Sequence, residues 1–374
     1  MRRTLGFFVS LGVLAGPAAA QSGAFVTRLG RDTLAVERYR RTANRIEGEL
    51  VIRSPRTQHR MYTATLGSDG SVERFELTTH NLSAGGPAEQ KASIAFRGDS
   101  ALVTLPDGQI QRRAATGGGA PFLLNVYGLV EYLAARARTA GGDEYRTTAV
   151  FPNASEPLAT VLKRVGRDSM TILIGQIGPL RLRVDASGTL LGVTGVGSTM
   201  QVTVERVPAI DIAAMGPAFA DRPLGVLSPT DSVQATVGGA TLSVKYSRPS
   251  VRGRAIFGAV VPWNQVWRTG ANAATIFTTS ADLVMGGTPI PAGSYSLWTI
   301  PSPARWTLIV NKNTGQWGTN YDSQHDLAKI DMRVAALDTL VEQFTIQIAP
   351  SGESAGSLAL AWEKTRAWVA FSKK

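Results

Sequence analysis

The sequence contains no cysteine and only three histidines, at positions 59, 80 and 325. The first absence excludes disulfides, thiolate metal sites, a cysteine nucleophile and a lipidated N-terminal cysteine. The second leaves too few imidazoles for a poly-histidine metal centre. There is no H-E-x-x-H pair and no phosphate-cradling G-x-x-x-x-G-K-[ST] loop, and no G-x-S-x-G nucleophile elbow is expected. Long apolar runs are scarce too. The longest, Leu5 to Leu14, falls short of the ~20 residues that a spanning helix needs. These absences exclude much and name no reaction.

What is present at the start reads as an address. Arg2 and Arg3 precede the apolar run, and Ala18-Ala19-Ala20 supplies a small-residue cleavage pattern. Residues 1–20 are therefore expected to be a Sec-type signal peptide cleaved after Ala20, and the mature bacterial protein to be periplasmic or extracellular. Charge is lopsided: the net value is +11, and 31 of the 39 basic residues are Arg. Nine of these lie between Arg28 and Arg60, interrupted by Asp32, Glu37, Glu47 and Glu49 in strand-like alternation. They are expected to form solvated sheet faces. Without an RNA-binding aromatic signature, and with export, no nucleic-acid partner is expected. Weak attraction to anionic surface polymers fits better.

The chain length of 374 residues suits two domains. Pro208, Pro217, Pro223 and Pro229 mark residues 208–230 as a linker, because proline fixes φ and removes a donor. Before it, residues 22–207 alternate with a period of two, as in Ile46, Gly48, Leu50 and Ile52. Turn signals at Asp69-Gly70, Gly98-Asp99, Asp107-Gly108 and Ser187-Gly188 separate the runs. An antiparallel curved sheet or half-barrel follows. One helix, 121–140, interrupts it, opened by Pro121 and ended by Gly141-Gly142. Its first half is apolar nearly all round, so it is expected to be buried on more than one side. Two readings stay open: a plug that completes the core, or one wall of a pocket for an apolar ligand. The pattern resembles the half-barrels of periplasmic lipoprotein carriers, which would imply a lipid carrier.

Residues 231–374 carry eight or nine further strand-like runs, among them the Val233–Val237 and Thr241–Tyr246 hairpin across Gly238-Gly239. Two apolar faces imply a β-sandwich of jelly-roll type. The fold class is thus mainly β, a curved sheet with one helix followed by a sandwich.

Within 246–318 recur Tyr246-Ser247-Arg248-Pro249, Gly253 to Gly258, Trp267-Arg268-Thr269-Gly270-Ala271-Asn272, Pro291-Ala292-Gly293-Ser294-Tyr295, Trp306 to Lys312 and Trp317-Gly318. With Trp362 these strings resemble an exported bacterial domain-of-unknown-function family, family 2911. The resemblance spans about 231–371 and leaves 22–230 untouched. It implies no activity. Read as chemistry, Arg248, Arg254 and Arg268 offer planar five-donor forks for carboxylate or phosphate, and Lys312 adds a point charge. Asn272 and Asn311 donate and accept, while Trp267, Trp298 and Trp317 offer flat apolar faces. Together they form the candidate ligand-binding set, for a small polar or anionic molecule, a glycan or an envelope protein. The alternative is a structural framework of core aromatics and loop-holding polar groups.

The leading expectation is an exported, non-catalytic binding protein without cofactor or metal. A metal-independent envelope hydrolase or isomerase is the alternative, drawing on Asp282, Asp322, Asp326 or His325 with Arg support. Asp322-Ser323-Gln324-His325-Asp326 is as well read as a polar loop with a helix cap as a cation site. Oligomeric state stays open.

Overall fold

The computed structural model describes residues 20–83, 88–175, 177–195 and 200–374. All but the last residue of the expected signal peptide lie outside the described residues. Among those described, 15 strands build one sheet and 9 build a second.

The first sheet is a meander whose chain ends meet in its middle. Its opening strand, Gln21–Leu29, pairs antiparallel both with Asp32–Arg41 and with its closing strand, Val202–Val207. The two edges therefore fall at Ile110–Ala114 and Ala120–Pro121. Residues 115–119 link those edges, and Thr148 Oγ1 donates to Thr116 O at 2.9 Å there. The sheet curves without closing into a barrel. The expected turns are in place: Gly70, Gly98, Gly108 and Gly188 all adopt positive φ, a conformation that costs glycine little.

The expected helix 121–140 is shorter at its start. Helix α1 spans Tyr127–Ala140. Ala120–Pro121 instead runs as a two-residue strand beside Glu144–Val150, and Phe122 N donates to Val150 O at 2.9 Å. Asn125, with φ of 65°, breaks the chain direction just before the helix. Nine of the α1 residues are buried, and Leu129, Val130 and Leu133 pack into the same core as Phe25, Leu50, Phe75 and Leu182. Each such side chain contributes roughly 1.5–3 kcal/mol on burial.

A cross-strand row seats α1. Gly23, Tyr39, Gly48 and Tyr62 are direct neighbours on four adjacent strands. The Tyr62 ring lies across Gly48, where a Cβ would meet it at 2.5 Å. The Tyr39 ring lies across Gly23 in the same way, and both rings abut Gly128 of α1. Glycine at these positions makes room for tyrosines lying flat between strand and helix.

Residues 208–230, expected as a linker, include a second helix, α2, at Ile212–Ala220. Asp211 caps it by accepting from Ala214 N at 3.1 Å. Ile212 packs with Val36 and Val51, and Leu224 N donates to Arg53 O at 2.7 Å. The segment is thereby fastened to the first sheet.

The second sheet begins with the expected hairpin, Thr230–Val237 and Ala240–Ser247, around two left-handed glycines. It contains two long strands, Asp326–Pro350 and Ala355–Lys373, in place of several short ones. Their ladder breaks register between Ala336 and Thr345. Beyond the breaks, Phe344 packs edge-on to Tyr246, and Ile346 N donates to the Tyr246 hydroxyl at 3.0 Å. The sheet so folds over its own core in sandwich fashion, with Trp306, Leu308, Phe344 and Trp362 inside.

Candidate functional site

The two sheets meet along a seam held by the backbone of two turns. Arg31 N donates to Arg252 O at 2.9 Å. Arg252 Nη1 donates to Asp32 Oδ2 at 2.6 Å. Gly30 sits so close that a Cβ there would lie 2.1 Å from Arg252 O. Beside this clamp is a cavity of about 550 Å³, within the size range of small-molecule sites.

Its walls differ in chemistry. The first sheet, α1 and the loop before α1 contribute Leu29, Leu123, Leu124, Asn125, Val126, Val130 and Val202. The second contributes Arg252, Arg254, Arg268, Asn272 and Trp317. Among the described residues, no carboxylate, lysine or histidine lines it.

Arg268 is the distinctive group. It is only 9% exposed, and its side chain's one hydrogen bond among the described residues runs from Nη1 to Asn272 O at 3.4 Å. Burial lowers its pKa from the usual guanidinium value. The surrounding loop is strained to place it. Thr269 and Asn272 hold positive φ of 53° and 60°, uncommon for non-glycine and a true outlier for a β-branched residue. Gly318 completes the seat, since a Cβ there would fall 2.4 Å from Arg268 Cδ. Arg254 donates to Ser250 O at 2.7 Å and Val251 O at 3.1 Å. Burial, and then the neighbouring Arg252 charge, push its pKa down to about 10. Trp317 presents a face that is 48% exposed.

Four of the nine residues singled out in the sequence, Arg254, Arg268, Asn272 and Trp317, line this one cavity. The other five lie elsewhere. Arg248 binds Asp231 at 3.0 Å, the Phe344 carbonyl and Thr345. Trp267 is buried against Trp362 and Phe344. Trp298 is buried, donates to Ser296 Oγ at 2.9 Å and packs on Tyr321. Asn311 is buried and donates to Asp322 O and Asp326 Oδ1. Lys312 is exposed on the loop that follows. The first four hold the framework, and Lys312 lies at the surface.

The acid–base candidates are engaged away from the cavity. Asp282 accepts from Ala292 N at 2.9 Å. Asp326 accepts from the Tyr321 hydroxyl at 2.6 Å and from Asn311. Asp322 caps a short turn through Gln324 N and faces His325 Nδ1 at 3.1 Å. The expected absence of a G-x-S-x-G elbow needs one correction: Gly352-Glu353-Ser354-Ala355-Gly356 has that spacing. It runs from the turn between the two long strands into the start of the second, whereas a nucleophile elbow needs a strand leading into a helix.

The sequence reading also places Glu37 on a solvated face, and the structure corrects this. Glu37 is fully buried and accepts from Tyr127 N at 2.6 Å, Gly128 N at 3.1 Å and the Tyr62 hydroxyl at 2.7 Å. It caps α1 from another strand. Burial raises its pKa to about 7 against these three stabilising donors. Nearby, Glu131 of α1 binds Arg206 at 2.6 Å, Leu190 N at 2.8 Å, Gln21 and the Tyr39 hydroxyl. A larger, more open hollow of about 820 Å³ lies between the strands over 21–63 and residues 206–210. Four of its five charged groups already pair, Arg38 with Glu49, Glu47 with Arg45 and Arg206 with Glu131. The seam cavity is therefore the stronger candidate.

Residues 228–371 match the protein family described as "Protein of unknown function (DUF2911)". A search of curated proteins finds no match. Among solved structures, the chain is similar to a DUF1089 family protein from Pseudomonas aeruginosa, at 12% identity and a TM-score of 0.33, over 50% of this chain and 95% of that one. It is also similar to a beta-barrel-like protein of domain of unknown function DUF1849 from Brucella abortus, at 14% identity and a TM-score of 0.34, over 50% of this chain and 94% of that one. Among the described residues, no helix is long and apolar enough to cross a membrane.

Proposed function

We propose that this chain is an exported binding protein that performs no chemistry on its ligand and holds it in the seam between the two sheets. One observation carries the reading. The Arg254, Arg268, Asn272 and Trp317 side chains share a single cavity with the apolar start of α1 and its preceding loop. Two features expected separately, a polar rim on the sandwich and an apolar pocket in the half-barrel, become one binding site. Helix α1 fills the half-barrel along most of its length, and the cavity opens at its N-terminal end. A ligand there would bury its apolar part against Leu123, Leu124 and Val126 and direct its polar part to the second sheet.

The reading is tested with the neutral fluorescent probe N-phenyl-1-naphthylamine. Binding with enhanced emission is expected for the mature chain. Leu124, partly exposed on the cavity wall, is the residue to change: Leu124→Asp should weaken the probe at least 10-fold while leaving the unfolding midpoint unchanged. Probe binding that ignores this substitution would place the site elsewhere.

A further inference from the structure

Resting on that reading, we propose that the ligand is an anionic amphiphile, with a carboxylate or phosphate head on Arg268 and an alkyl chain along the first sheet's wall of the cavity.

The argument begins with a charge left uncompensated. Three guanidinium groups line the cavity, and among the described residues no acid lines it with them. Arg252 is matched by Asp32 across the seam. Arg268 has no such match: nine-tenths buried, it holds a carbonyl at 3.4 Å and no carboxylate. A buried cation without an anion is costly. The loop nevertheless accepts left-handed Thr269 and Asn272, and a glycine at 318, to keep the guanidinium at the cavity. A planar fork suits a bidentate oxyanion. A cationic ligand would meet the like charge of Arg268, and a neutral one would leave Arg268 unmatched.

The first sheet's side of the cavity fixes the orientation. The α1 N-terminus, itself a potential anion site, is already occupied: Glu37 takes the Tyr127 and Gly128 amides. What remains there, apart from Asn125, is apolar, with Leu123, Leu124, Val126 and Val130. An alkyl chain fits that wall, and the head falls to Arg268 beside Asn272, in a cavity that Arg254 and Trp317 also line.

The experiment displaces the neutral naphthylamine probe with decanoate, decyl phosphate, decan-1-ol and inorganic phosphate, each below micelle-forming concentration. Decanoate, decyl phosphate or both should compete at least 10-fold more strongly than decan-1-ol, and the stronger of the two identifies the head. Their affinity should fall with added salt while that of decan-1-ol holds. Arg268→Gln should bring the anions down to the decan-1-ol level without weakening decan-1-ol, and Arg268→Lys should restore part of the difference. Equal competition by alcohol and anions in the wild-type chain, with no salt dependence, overturns the anionic head. Inorganic phosphate competing as well as decyl phosphate overturns the amphiphile. Failure of the probe and of every decyl compound to bind overturns the seam reading itself.

Discussion

Asp32 and Arg252, 220 positions apart in the chain, form a 2.6 Å ion pair that joins the two sheets. Both side chains are largely sheltered from solvent, so removing one partner strands the other. Asp32→Ala should cost about 1–3 kcal/mol. Paired with Arg252→Met in a double-mutant cycle, it should show a coupling well above the ~0.2–1 kcal/mol of exposed pairs. Chemical denaturation measures both. Additive single effects would mean that the pair does not hold the seam.

Tyr62 reaches Glu37 only because Gly48 leaves space beneath its ring. Gly48→Ala should therefore destabilise by about 1–3 kcal/mol, the usual range for overfilling a packed core. The same change made on a Tyr62→Leu background should cost far less, since the ring it strikes is gone. Equal costs on both backgrounds, read from unfolding curves, would show that the ring does not set the constraint.

Glu37 makes stability depend on pH in a direction opposite to that of most carboxylates. Its folded pKa is raised to about 7 from 4.5, chiefly by burial, with Glu131 adding to the rise and Tyr62, Tyr127 and Gly128 opposing it. The folded chain thus holds this proton more tightly than the unfolded chain does. The associated stabilisation is complete below pH 4.5 and is lost as pH rises through 7. A move of this size corresponds to roughly 3 kcal/mol. Glu37→Gln removes the titration, so the wild-type minus variant stability should fall by about that amount between pH 4.5 and 7.5. Parallel curves would contradict it.

Much of the fold was legible because its signals are local. Period-two alternation and the Asp-Gly and Gly-Gly turns each act within a few residues. The start of α1 was not, because the pairing of Ala120–Pro121 with Glu144–Val150 is a non-local contact that outcompetes the helical signal of Pro121. Glu37 was misread for the same kind of reason. Its neighbours Arg38 and Arg40 are solvated, and nothing nearby in the chain announces that two amides 90 residues away will need an acceptor. At the candidate site, the Trp-Arg-Thr-Gly-Ala-Asn string drew attention to Arg268 and Asn272, and chemistry alone could do no more. Trp267 in the same string is a core residue, and only the packing of Phe344 and Trp362 on it separates the two roles. The apolar half of the cavity comes from the other sheet and from residues 226–227, which no motif connects to the string.

The central claim is that one ligand touches both sheets at once. Amide hydrogen exchange on the mature chain, with and without saturating decanoate or decyl phosphate, tests it most directly. The account predicts added protection in two separate stretches together, residues 122–130 at the start of α1 and residues 268–272 with 317–319 in the second sheet. Protection confined to one stretch, or absent from both while the ligand is bound, would contradict it.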